Sequence, residues 1–158
     1  MREQKEQAKQ NELLRVVAEQ NHERLIEYDV KEDRAVVYAI ENDRFEVLFD
    51  ITDYVQKNRY GSVVIDPEDK KVFRRAVHAC LKKEGTVTVD VRYREEDEKP
   101  LWYRFYLVSI AGEDGKINRM VGRFRCVQKE KTITERMRRR AEIDVLTNVY
   151  NHKAFEGY

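Results

Sequence analysis

The sequence predicts an α+β fold: a five-stranded antiparallel sheet with helices on one face and a further helix at each end of the chain. Three observations predict it. Val87, Val89, Val91 and Tyr93 alternate with Thr88, Asp90, Arg92 and Arg94, the period-two signature of a strand with one buried face. Two more apolar runs follow at hairpin spacing, and loops that short join only antiparallel neighbours. Ahead of these strands, Val72, Phe73, Ala76, Val77, Cys80 and Leu81 recur at the three-to-four spacing of a helix that buries one side.

Residues 2–22 contain no Gly or Pro and are rich in Glu, Gln, Lys and Arg, which predicts a helix. Its apolar positions Ala8, Leu13, Leu14, Val16 and Val17 gather toward the end. That stripe fits a solvated extension as well as a dimerising or signal-input helix. Leu25 to Val30 and Arg34 to Ile40 are rich in β-branched and aromatic residues and flank a polar Lys31-Glu32-Asp33 turn, so they read as adjacent strands. Residues 42–60 carry conflicting signals. Phe45, Val47 and Phe49 alternate as in a strand, while Asp50 to Val55 resembles a short helix, and the count of five strands leaves this segment outside the sheet.

Asp66-Pro67-Glu68-Asp69 is a helix start: a capping Asp, a Pro where no amide is needed, and carboxylates near the positive helix end. The helix is expected to run to about Glu84, with Gly85 as its stop. After the alternating strand come strands from Leu101 to Ala111 and from Ile117 to Gln128, joined by Gly112-Glu113-Asp114-Gly115. The acidic run Glu95-Glu96-Asp97-Glu98 reads as a solvated loop tip. Beyond Gln128 the pattern is helical again. Thr132-x-x-Glu135 matches a capping box, Ile133, Met137 and Ala141 form a four-residue stripe, and the helix is expected to end near Asp144.

A chain of 158 residues accommodates one domain with appendages. Lys plus Arg, 31, nearly cancel Asp plus Glu, 30, so no global field draws the chain to nucleic acid or an anionic membrane. Basic residues do cluster from Lys116 to Arg140, including Arg119, Arg123 and Arg125, yet no recognition helix or stacking motif accompanies them, and no nucleic-acid partner is expected. No apolar run approaches the ~18 residues of a membrane span, and Met1 to Gln7 lacks the apolar stretch of a signal peptide. A cytoplasmic location without membrane contact is the expectation. Cys80 and Cys126 form no Cys-x-x-Cys pair and are expected to be buried core thiols.

The element order, together with the Asp66-Pro67-Glu68-Asp69 helix start, Trp102 in the fourth predicted strand and Gly115 in the last hairpin, resembles the PAS sensor domain. A second resemblance follows it. Asp144-Val145-Leu146-Thr147-Asn148-Val149-Tyr150-Asn151-His152 is similar to the opening of a GGDEF diguanylate cyclase domain, Asp-x-Leu-Thr-x-Leu-Tyr-Asn-Arg, at Asp144, Leu146, Thr147, Tyr150 and Asn151. Val149 replaces the usual Leu and His152 the usual Arg. The resemblances divide the chain into an N-terminal linker helix (1–22), a PAS-like sensor domain (23–128), a signalling helix (129–143) and the start of a GGDEF domain (144–158). Where such proteins often close the last PAS strand with Asp-Ile-Thr, this chain has Cys126-Val127-Gln128.

The resemblance implies a sensory and dimerisation module that regulates a diguanylate cyclase, an enzyme that makes cyclic di-GMP from GTP with Mg²⁺. Neither the Gly-Gly-Asp-Glu-Phe loop nor the metal-binding acids of that family occur in these 158 residues, so no catalytic residue, metal site or cofactor is expected among them. No P-loop, Gly-x-Ser-x-Gly elbow or His-Glu-x-x-His run is present either. His78 is the weak candidate for a haem ligand, since some PAS sensors bind haem through a helix in that region, but its helical phase sets it beside the apolar stripe. Neither cysteine sits in the Asn-Cys-Arg-Phe motif of flavin light sensors. Two copies are expected to associate through the PAS domain and the helical connectors, with Cys126, Gln128, Ile133, Met137 and Ala141 coupling sensor to output. The alternatives are a ligand-free dimerisation scaffold and a sensor of haem or another small molecule. Nine Tyr, six Phe and one Trp favour a filled core over an open one.

Overall fold

A computed structural model describes residues 2–20, 23–60, 64–94 and 98–156, with side chains for all of these except 14–20 and 151–156. The elements are α1 (Arg2–Gln20), β1 (Arg24–Asp29), β2 (Arg34–Glu41), β3 (Arg44–Ile51), a 3-10 turn (Pro67–Asp69), α2 (Lys70–Lys82), β4 (Thr86–Tyr93), β5 (Leu101–Ala111), β6 (Ile117–Cys126) and α3 (Gln128–Glu156). Their contacts divide the chain into two units, Met1–Cys126 and Val127–Tyr158. The acidic loop tip at 95–97 and the side chains of Leu14, Val16, Val17 and Asn151 lie outside what is described.

The first unit is an antiparallel sheet in the order β3-β2-β1-β6-β5-β4. Its centre is the pairing of the first strand with the last, Ile26 opposite Gly122 and Tyr28 opposite Met120, from which a hairpin series extends to either side. The sheet has six strands, one more than the sequence predicts. Asn42 and Asp43 both take positive φ, 50° and 61°, the conformation of a two-residue primed turn, so β2 folds straight back into β3. The short helix expected from Asp50 to Val55 does not form, because Asp50 and Ile51 finish that strand.

A register shift between Val37 and Tyr38 explains why β3 hides its alternation. Val37 opposes Phe49, Tyr38 opposes Val47, and Leu48 is the extra residue of a bulge. Phe49 and Ile51 therefore reach the inner face while Phe45 stands on the outer one.

On the inner face β4 and β5 pair Val91 with Tyr103, Val89 with Phe105 and Val87 with Leu107. Phe73, Ala76, Val77 and Cys80 of α2 are buried, as the sequence periodicity predicts. The start of α2 is held by charge. Asp66 accepts the Glu68 N–H at 3.0 Å, and buried Asp69 accepts from the backbone N–H of Arg92 at 2.7 Å and from its guanidinium at 2.9 and 3.0 Å. These bonds hold the Asp69 carboxyl below the usual carboxylate range, with the Arg92 side chain as the main cause. The far end of α2 is pinned by buried Ser109, whose hydroxyl accepts the Gly85 N–H and lies 3.0 Å from the Lys83 carbonyl.

Gly122 sits at a close approach of β6 to its neighbours. A Cβ there would stand 2.5 Å from the Tyr106 carbonyl oxygen, 2.8 Å from Leu107 Cδ2 and 3.1 Å from Ile26 Cγ2, so no other residue fits without displacement. Of the two cysteines, Cys80 is buried with its thiol pKa pushed up by burial, whereas Cys126 is exposed at the end of β6, contrary to the core position expected for it.

The second unit is one helix. It begins at Gln128, so Thr132 and Glu135 lie inside it instead of capping it; Gln128 donates to the Thr132 hydroxyl, and Glu135 accepts from Arg138 at 2.7 Å. The helix also continues through Asp144, where an end was expected, as far as Glu156. Its sequence gives the reason: no Gly or Pro occurs from Gln128 until Gly157.

Candidate functional site

The first unit holds a cavity of about 280 Å³, open on one side, between the sheet and the segments that cover it. Ile26, Ala35, Val37 and Ile51 from β1 to β3 form one wall, and Tyr93, Phe105 and Phe124 from β4 to β6 form the other. Tyr54, Val64, Ile65 and Phe73 close it from above. The aromatic wall is rigid by mutual contact: Phe105 stacks on Phe124 at 4.3 Å, and Phe73 meets Phe105 edge-on at 4.9 Å. The fully buried Ala35 contributes the smallest side chain of this lining and leaves the room. A filled core, which the aromatic content favours, is thus not what the fold builds: the stacked Phe105 and Phe124 rings stand on one side, and Ala35 leaves room among Ile26, Val37, Phe49 and Ile51 on the other.

The loop over the cavity is fixed by Asp33, whose own φ of 49° turns it back from the β1–β2 hairpin. Its carboxylate accepts the Tyr28 hydroxyl at 2.6 Å and the backbone N–H groups of Val55 and Gln56 at 2.8 and 3.0 Å, while its carbonyl accepts from Tyr54. Burial works to raise the Asp33 pKa, and these donors outweigh it, leaving the group below its ordinary value. Burial also raises the tyrosines, Tyr28 and Tyr54 strongly and Tyr60 less, so all three stay neutral. Their rings form a chain, Tyr28 to Tyr54 at 5.5 Å and Tyr54 to Tyr60 at 5.2 Å, which reaches α2 where Tyr60 Oη lies 2.9 Å from His78 Nε2. The loop is therefore tied to β1 at one end and α2 at the other.

At the mouth stand two exposed charged residues, Asp50 and Arg59. The lining offers apolar contact with polar groups at one end, the general form of a small-molecule site. It holds no nucleophile paired with a base, and among the described residues no group of His, Cys, Asp and Glu side chains could hold a metal ion.

The residues predicted from sequence lie elsewhere. His78 does not line the cavity but hydrogen-bonds its covering loop through Tyr60. Cys126 belongs to the sheet unit, and Gln128, Ile133, Met137 and Ala141 to the helix, where the last three are exposed and follow one another at four-residue intervals. Asp144, Leu146, Thr147 and Tyr150 are exposed on the same helix, and Asn151 falls within it. The cavity residues Tyr54, Arg59 and Ala35 were not foreseen; the Asn42-Asp43 pair was the signal that could have exposed β3 and, with it, this wall.

The PAS fold family matches residues 42–124, more than half of the chain, and the chain belongs to that family. Among solved structures it is similar to a sensory box histidine kinase/response regulator from Burkholderia thailandensis E264, with a TM-score of 0.59 and 18% identity over 82% of this chain and 95% of that one. It is also similar to an RNA-binding light-oxygen-voltage receptor, with a TM-score of 0.51 and 15% identity; the match spans 77% of this chain and 35% of the receptor. A third is the N-terminal domain of a diguanylate cyclase with PAS/PAC sensor from Marinobacter aquaeolei, with a TM-score of 0.49 and 11% identity over 69% and 98% of the two chains. At these identities the likeness to the first two is one of fold. No curated protein matches the chain. Among the described residues, no helix is long and apolar enough to cross a membrane.

Proposed function

We propose that this chain is the sensory and dimerisation module of a diguanylate cyclase, with a small molecule in the PAS cavity as its input and α3 as its output. The observation that carries the sensory half is the apolar cavity of about 280 Å³, which the fold maintains although aromatic side chains were available to fill it. The output half is supported by the Asp144-x-Leu-Thr-x-x-Tyr-Asn pattern, which lies on the same uninterrupted helix as Ile133, Met137 and Ala141. A ligand biases an output only through a difference in affinity between two arrangements, and a helix pair that rotates or splays supplies two such arrangements. No chemistry in the sensor is required.

Dimerisation has its own support. Ile133, Met137, Ala141, Val145 and Val149 form one row at intervals of four along α3, a ridge of the kind that packs into the groove of a second helix. On the sheet unit, Phe45, Val47 and Val108 are exposed, and Phe45 and Val108 line one outer groove with Tyr38 and Val121.

Two measurements test the proposal. Native mass spectrometry of the purified chain is expected to show a dimer carrying a bound small molecule; a monomer without added mass over a wide concentration range overturns the sensory module as stated. The reading frame that contains this sequence is expected to encode Gly-Gly-Asp-Glu-Phe beyond Tyr158, and its product to make cyclic di-GMP from GTP and Mg²⁺. A frame that encodes a different output domain overturns the cyclase half and leaves the sensory half standing.

A further inference from the structure

The charges around the cavity mouth do not cancel. Asp50 is occupied: Arg34 donates to its two carboxylate oxygens at 2.8 and 2.6 Å. Asp53 pairs with Lys57 at 3.2 Å. Arg59, which lines the cavity and is exposed, donates one N–H to the Thr52 carbonyl at 3.0 Å and has no carboxylate partner among the described residues. A guanidinium carries five N–H donors in a planar fork matched to a carboxylate, so most of this one remains available.

Behind Arg59 the lining is apolar, with Ile26, Ala35, Val37 and Phe124 buried in the sheet and Ile51 partly so. An apolar cavity of about 150 Å³ holds a benzene-sized molecule, which scales 280 Å³ to roughly a dozen non-hydrogen atoms. A second charge on the ligand would have to enter that interior, where an unpaired ion is strongly disfavoured. A cationic head would meet Arg59, with Asp50 already taken.

We infer that the cavity takes an amphiphilic monocarboxylate of roughly a dozen non-hydrogen atoms, with its chain or ring against the Phe105–Phe124 wall and its carboxylate on Arg59. This rests on the reading of the cavity as a ligand site and names what the site selects.

The test is calorimetric titration of the full chain at pH 7 with 4-phenylbutyrate, 4-phenylbutanol and 4-phenylbutylamine, three ligands with one apolar body and different heads. The acid is expected to bind about tenfold tighter than the alcohol, the scale of a half-exposed charge-assisted hydrogen bond, and the amine weakest. Arg59→Gln, which can still donate to Thr52, is expected to bring acid and alcohol within about twofold of each other, while Arg59→Lys, which keeps the charge without the fork, retains a reduced preference for the acid. An alcohol that binds as tightly as the acid, or a preference that survives in Arg59→Gln, overturns the assignment of the head group but leaves the cavity as a ligand site. Binding of none of the three by the unaltered chain overturns both. If Arg59→Gln binds nothing at all, the Lys variant decides: retained preference supports the assignment and lost preference overturns it.

Discussion

The sheet unit and the helix unit treat their apolar residues in opposite ways. In the first, Val77, Val91, Leu107 and Met120 are wholly buried, and even the charge of Asp69 is taken inside because Arg92 accompanies it. In the second, Met137 is 68% exposed and Leu146 67%, with Ile133, Ile143, Val145 and Val149 also open to solvent. A surface helix of a self-sufficient domain turns such residues inward. The contrast teaches that the sheet unit hides its apolar surface within itself while the helix leaves its own uncovered, which is the surface that the proposed dimer would bury. Substitutions in the first should therefore change stability, and substitutions in the second should change association.

Gly122→Ala tests this division most severely. One added methyl meets backbone on one side and two core side chains on the others, and the backbone oxygen of Tyr106 cannot rotate away. Overpacking at such a point is expected to cost about 3 kcal/mol. Equilibrium denaturation, followed by the fluorescence of Trp102 in β5, should show it as a lower midpoint at unchanged slope; an unfolding free energy within about 0.5 kcal/mol of the unaltered chain, the scale of a neutral surface change, would show that the central strand pair has slack.

Much of this unit was legible in the sequence. β4 was readable because its period-two alternation survives in the sequence, β5 and β6 because they are apolar runs at hairpin spacing around Gly112 to Gly115, and α2 because Asp66-Pro67 marks its start and Val77 and Cys80 its inner side. β3 was illegible for a physical reason: the bulge at Leu48 moves Phe49 to the opposite face from the one strict alternation gives it, and the strand is too exposed to need a continuous apolar side. The cavity could not be read at all. Its wall sets Ile26, the partner of Gly122, diagonally beside Phe124 and pairs Ala35 with Ile51, neighbours set by strand register and invisible to local pattern. On α3 the opposite error occurred. Thr132 and Glu135 satisfy the capping-box pattern, yet an earlier start at Gln128 leaves both as ordinary helical positions.

Asp69→Asn sharpens the comparison by removing charge while keeping shape. The side chain loses its ionic pairing with Arg92 but retains one carbonyl oxygen, so a loss of about 2 kcal/mol is expected at pH 7. The sign with pH follows from the direction of the shift. A carboxyl whose folded pKa lies below its unfolded one stabilises fully above the unfolded value and loses that contribution as pH falls through the folded value. The gap between unaltered chain and variant should therefore be widest above about pH 5 and close as the solution is acidified below the ordinary carboxylate range. A gap that stays constant down to pH 2, well into that range, would assign the effect to packing alone.

Met137→Glu should have the smallest effect on folding and the most specific one on assembly. The side chain stands in solvent in the middle of the row that starts at Ile133, so the change removes no buried contact within the chain, and stability at micromolar concentration in the denaturation of the sheet unit should move by less than about 0.5 kcal/mol. If two α3 helices pack along this row, the substitution brings two carboxylates into one apolar seam, and such a pair resists desolvation. Sedimentation equilibrium should then show the dimer dissociating at least tenfold more readily, while Arg138→Gln, which leaves the row intact and removes only the surface pair with Glu135, leaves association unchanged. A Met137→Glu chain that still forms the dimer at the original concentration would place the interface elsewhere, with the outer groove beside Tyr38 and Phe45 as the surface to alter next.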